Sequence, residues 1–154
     1  MAKQPSFTMS KLWSAERILL VGSLLLLIDS FLPWQHLCVV RVCVRGSWNA
    51  WGGSGGFLGV LMSLCAIGLV LFVVASASGV ASTLGTQATT IGSVLVAGTV
   101  FFGVLKFLFA VTHHSAIFAW FGLILLVVIA YGGYMRMQEP EARQAPPPTG
   151  GVSS

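Results

Sequence analysis

Two ionisable residues interrupt otherwise apolar runs, and they are the first candidates for chemistry. Asp29 stands near the end of the first run, and Lys106 about two turns before the end of the third. A charge in hydrocarbon costs about 2.5–3.5 kcal/mol at a helix centre on insertion scales, so such residues are rare and want a partner. If the chain reverses direction from run to run, Asp29 and Lys106 fall at similar depth. An intramembrane charge pair is therefore the first expectation. Two others stay open: Lys106 reaching alone to the lipid headgroups along its flexible stem, and a relay for a proton or substrate.

Cys38 and Cys43 come next, within Leu37-Cys38-Val39-Val40-Arg41-Val42-Cys43-Val44. Their spacing is not that of a CxxC redox centre. Five extended steps span about 16 Å at roughly 3.3 Å per residue, whereas a disulfide needs Cα atoms within about 7 Å. A Cys38–Cys43 disulfide thus requires a turn inside Val39–Val42, which contains neither Gly nor Pro. The bond and two separate thiols both remain open. Cys65, inside an apolar run, fits a small packing residue. His113 and His114 are adjacent, and His36 could approach them in space. Polar capping is the expectation there, with a zinc site as the alternative, so no metal is assigned. The only acids are Glu16, Asp29, Glu139 and Glu141. They form no paired carboxylates, and no phosphate-cradling loop or HExxH motif accompanies them. No catalytic residue and no cofactor is expected.

The elements that must position these residues follow from composition. Of 154 residues, 56% are hydrophobic and 8% charged, against about a quarter charged in soluble domains. Mean hydropathy is +0.90. Eight Lys and Arg with four Asp and Glu cannot coat a water-facing surface of this size. A soluble enzyme or a disordered regulator is excluded on those grounds. The scattered basic residues are not a nucleic-acid footprint either. Four apolar stretches approach the roughly 20 residues that cross a bilayer, at about 15–34, 57–79, 91–112 and 116–134. The expected fold is an all-α membrane protein, a four-transmembrane-helix bundle over residues 1–137 with a short β-rich extracytoplasmic loop. Residues 138–154 form a Pro/Gly-rich tail, expected to be disordered and cytoplasmic. Pro146–Pro148 within it could also serve as a polyproline ligand. The first stretch is read as retained, because no small-x-small cleavage site follows Ile28.

Lys3, Lys11, Arg17, Arg136 and Arg143 flank one side of such a bundle, and Arg41 and Arg45 the other. Five against two places both termini in the cytoplasm. The loop between the first two spans is then outside. Trp34, Trp48 and Trp51 in it suit anchors at the interface, where an indole keeps its ring among headgroups and its N–H wet. The residues around Cys38 and Cys43 read as a hairpin or strand over the bundle mouth. Gly52-Gly53-Ser54-Gly55-Gly56 reads as a flexible lead into the second span. Gly92, Thr99, Lys106 and His113 recur every seven residues, which puts small and polar groups on one helical face. That face should turn inward, since helix contacts in membranes favour small residues.

Phe31-Leu32-Pro33-Trp34 at the end of the first span, the β-rich loop, Trp48-Asn49-Ala50-Trp51, the basic residue in the third span and the proline-rich tail together resemble small four-helix actinobacterial membrane proteins of unknown function. The resemblance implies an inner-membrane location and no known activity. Cys38 and Cys43 depart from that pattern. The expected role is a non-enzymatic structural or accessory subunit of the bacterial cell envelope, with the lipid bilayer, a membrane-protein partner or a second copy of the chain as partners. The alternative is a small oligomeric transporter or channel using Asp29 and Lys106.

Overall fold

The computed structural model describes residues 14–39, 42–78, 86–112 and 116–138, and their side chains apart from those of 37–39, 42–46 and 86. Four helices and one hairpin make up this part of the chain: α1 (Ser14–Ser30), β1 (Pro33–Val39), β2 (Val42–Asn49), α2 (Gly56–Ala77), α3 (Thr86–Thr112) and α4 (Ile117–Gln138). Helices α2, α3 and α4 are long and apolar enough to cross a membrane. Helix α1 has 17 described residues, about 25 Å at 1.5 Å per residue, and is not among those three. The expected first span therefore ends early. Leu32 and Pro33 leave the helix, and Trp34 belongs to β1. A proline offers no N–H to a helical ladder, and the residue before it avoids the α region. Helix α3 begins five residues ahead of the expected 91. The Thr86–Thr90 stretch is polar enough to lie outside an apolar run yet still helical.

Each helix turns one row of residues inward. On α2 the buried row is Gly59, Met62, Ser63, Ala66, Leu69, Phe72 and Val73. On α3 it holds Gly92, Val96, Thr99, Gly103, Lys106, Phe107 and Ala110, so the small and polar stripe does face the bundle. Three- and four-residue steps keep such a row on one side of a helix. Helix α1 packs on α2 and α4, and α3 packs on the same two. Helices α1 and α3 are thus diagonal. Glycines set the close approaches: a Cβ on Gly103 would come within 2.6 Å of Leu126, and one on Gly133 within 2.6 Å of Val96. At one end Arg136 of α4 lies over the Phe72 ring of α2, 4.5 Å from its centroid.

The opposite end carries the hairpin. Strands β1 and β2 are antiparallel, with Pro33 opposite Asn49, Cys38 opposite Cys43 and Val39 opposite Val42. The expected β-rich loop is this two-stranded sheet. Residues 40–41, 79–85 and 113–115 and the two chain ends lie outside the described residues, and with them His113, His114 and the expected tail.

Candidate functional site

The end of α1 requires partners, because the last four carbonyls of any helix have none within it. Here every one is met. Ser30 Oγ donates to Leu27 O at 2.6 Å. Phe31 N donates to Ile28 O at 3.1 Å and Leu32 N to Asp29 O at 3.0 Å. Ala50 N, from the far side of the hairpin, donates to Ser30 O at 3.1 Å. The tip of the helix is thereby tied to both ends of the loop that follows it.

Asp29 and Trp34 form the first node. The indole Nε1 of Trp34 donates to Asp29 Oδ2 and to Asp29 O, each at 3.1 Å. Trp34 is fully buried, so its expected place as a wet interfacial anchor is corrected: its N–H is taken by the protein. Gly122 of α4 makes the space. A Cβ there would stand 2.7 Å from Trp34 Cη2 and 2.8 Å from Asp29 Oδ2. Trp34 O accepts from Ala116 N at 2.9 Å, which joins β1 to the start of α4.

Lys106 forms the second node. Its side chain is fully buried. Its Nζ donates to Gly52 O at 2.9 Å and to Ser54 O at 2.8 Å. Gly53 and Gly55 have φ of +64° and +72°, left-handed values that glycine adopts without steric cost. Each of these angles sets the tilt of the peptide before it, so the carbonyls of Gly52 and Ser54 both turn toward the ammonium. Gln35, also buried, donates through Nε2 to Ser54 O at 3.2 Å. The run 52–56 is a shaped cradle rather than the flexible lead expected from its composition. It is seated on α2, where Gly59 lets the Ala50 carbonyl lie against the helix.

Asp29 and Lys106 are not brought together. No ion pair joins them, and each has its own partners from the loop. The expected charge pair is corrected accordingly. The physical reason is placement: the two residues sit on diagonal helices, and the loop fills the mouth between them. A carbonyl pair and an indole N–H meet the two charges without moving either helix.

Trp51 and Trp48 stay on the surface, 40% and 47% exposed. Trp51 Nε1 donates to Ser63 Oγ of α2 at 2.9 Å, and its ring meets Phe31 at 4.7 Å between centroids. Trp48 lies against the backbone of Gly52, where a Cβ would be 2.6 Å from its Cε3. Between them runs an open groove of about 430 Å³. His36 is exposed on β1. His113 and His114, its partners in the alternative zinc site, and the side chains of Cys38 and Cys43 lie outside the described residues. The backbone register nevertheless places Cys38 opposite Cys43. Cys65 on α2 is a free thiol beside Gly98 of α3.

Residue spacing did not reveal the cradle, because backbone carbonyls carry no sequence signal of their own. The glycine pattern around Ser54 was the available hint. Comparison of the chain with protein-family models, with curated proteins and with solved structures returns no match.

Proposed function

We propose that the chain is a four-span protein of the bacterial cytoplasmic membrane, with both termini in the cytoplasm. Its role is that of a non-catalytic structural or accessory subunit that presents the hairpin and its tryptophans to a membrane partner. The observation that carries this is the use made of Lys106. The buried ammonium is spent on the carbonyls of Gly52 and Ser54, so a costly intramembrane charge holds a loop in shape. A charge on a transport path would have to exchange partners, and this one has two fixed backbone acceptors. Helix α1 completes the four spans if its apolar run continues toward Leu12 and Trp13 in sequence. The competing role is a small oligomeric transporter or channel, and Ser23 favours it: its hydroxyl is fully buried on α1 without a hydrogen-bond partner.

Purification from the native host in mild detergent, followed by mass spectrometry, separates the two. The accessory role predicts a membrane protein at fixed stoichiometry that is lost when Lys106→Met releases the loop, while the variant chain stays in the membrane. A homo-oligomer with no other protein, unchanged by Lys106→Met, would move the weight to transport.

A further inference from the structure

We propose that Cys38 and Cys43 are a thiol–disulfide exchange site, at which the hairpin trades electrons with a dithiol protein. Backbone placement carries this. Cys38 is the direct partner of Cys43 across the ladder, and Val39 pairs with Val42 beyond them. The ladder thus supplies by pairing what a CxxC motif supplies by spacing: two cysteines whose Cα atoms lie within disulfide range. Directly paired residues have Cα atoms about 4.5–5.5 Å apart, short of the roughly 5.5–6 Å at which disulfides are most often found. A bond can close there, but off its preferred span, and such a bond is easier to reduce. It also encloses only the four residues Val39 to Val42. Chain entropy, which favours long-range bridges, adds little to so short a loop.

The hairpin has its hold elsewhere. Trp34 O accepts from Ala116 N at 2.9 Å, and Ala50 N donates to Ser30 O at 3.1 Å. Gln35 Nε2 donates to Ser54 O at 3.2 Å. All three fasten the base. Cys38 stands three residues beyond Gln35, about 10 Å along a strand, and Cys43 seven residues before Ala50. The cysteine pair can open and close while the base keeps its contacts with α1, α4 and the cradle.

The exchange balances as thiol–disulfide chemistry. One thiolate of the dithiol attacks a sulfur of the pair, the Cys38–Cys43 bond breaks, and the other cysteine leaves as a thiolate that takes up a proton. The second thiol of the partner then attacks the mixed disulfide. Both cysteines end as thiols and the partner ends as a disulfide, so two electrons and two protons have passed to the hairpin. The reverse sequence closes the bond. That the hairpin faces an oxidising compartment, where a disulfide persists, rests on the topology proposed above.

Glutathione serves as the probe thiol. The full chain in mild detergent is equilibrated in buffers of graded reduced-to-oxidised glutathione ratio, alkylated and peptide-mapped. The peptides of Cys38 and Cys43 should pass from linked to doubly alkylated within the range of ratios the buffer spans. The melting temperature should move by less than about 4 °C between the two end states. Cys43→Ser should leave Cys38 carrying one glutathione as a mixed disulfide in the oxidised buffer. A bond that survives in reduced glutathione alone would be a structural bridge, and a pair that stays open in oxidised glutathione alone would be two separate thiols. Either result overturns the assignment, as does a larger loss of melting temperature on reduction. Exchange in detergent does not depend on which side the hairpin faces. Labelling of Ser47→Cys in intact cells, with Cys38→Ser and Cys43→Ser also present, reads that side separately. A chain that exchanges but is not labelled from outside refutes the topology, and one that is labelled without exchanging refutes the site.

Discussion

Asp29 accepts from an indole N–H, and Lys106 donates to two backbone carbonyls; neither leans on the other. Substitutions at the two should therefore act independently. Asp29→Asn keeps an amide oxygen for Trp34 Nε1 and should cost less than about 1 kcal/mol, the worth of an ordinary hydrogen bond. Lys106→Met removes two charge-assisted bonds and strands the Gly52 carbonyl, while Ser54 O keeps Gln35 Nε2, and should cost about 3 kcal/mol. The double variant should lose the sum, as sites without shared partners do. Melting curves in detergent measure this, and recovery in the double variant would show that the two residues interact after all. Gly122→Ala is a sharper probe of the same end. Its methyl has to displace the Trp34 ring or the Asp29 carboxylate, which should cost about 1–3 kcal/mol. A melting temperature equal to wild type would mean that α4 does not close on Trp34.

The helices were legible because a long apolar run leaves few alternatives, and the inward rows because small and polar residues recur at helical steps. The end of α1 was less so. The run reads on through Phe31 and Leu32, and only Pro33 marks where the backbone turns into β1. The loop reads as a hairpin or strand from its β-branched residues, but its packing is hidden in the sequence. Trp34 looks like any interfacial tryptophan until Gly122, distant in sequence, is seen to leave a slot for it. The cradle was hidden for a similar reason: Gly52–Gly56 is uniform as text, and its shape appears only through φ at two positions. The cysteines gain from the hairpin. The extended-strand distance no longer applies once Val39 pairs with Val42 and Cys38 with Cys43. Directly paired residues of an antiparallel ladder have Cα atoms about 4.5–5.5 Å apart, inside the range of a disulfide. Non-reducing peptide mapping of membranes isolated with a thiol-blocking agent should give one peptide linking Cys38 to Cys43. Two blocked thiols would establish that the strands hold without the bond.

For the molecule as a whole, the hairpin end and the opposite end should face different compartments. The four spans proposed above would put both termini together, on the side of the five basic residues. Cysteines introduced at Ser10 and Ser153 should react only after the membrane is opened, whereas one at the exposed Ser47 should react in intact cells. Labelling of Ser153 from outside would invert the molecule, and labelling of Ser10 and Ser153 on opposite sides would remove α1 as a span.

The cradle also imposes an order on synthesis. Residues 52–54 leave the ribosome long before Lys106, and Trp34 long before Ala116 and Gly122. When the first two helices have been made, the loop between them still lacks its ammonium, its slot and the Ala116 N–H that donates to the Trp34 carbonyl. On the topology proposed above, the segment exported first is the last to gain its contacts. Its shape is complete only in a chain synthesised through Gly122, so a truncation before α3 should leave the loop without either of its nodes.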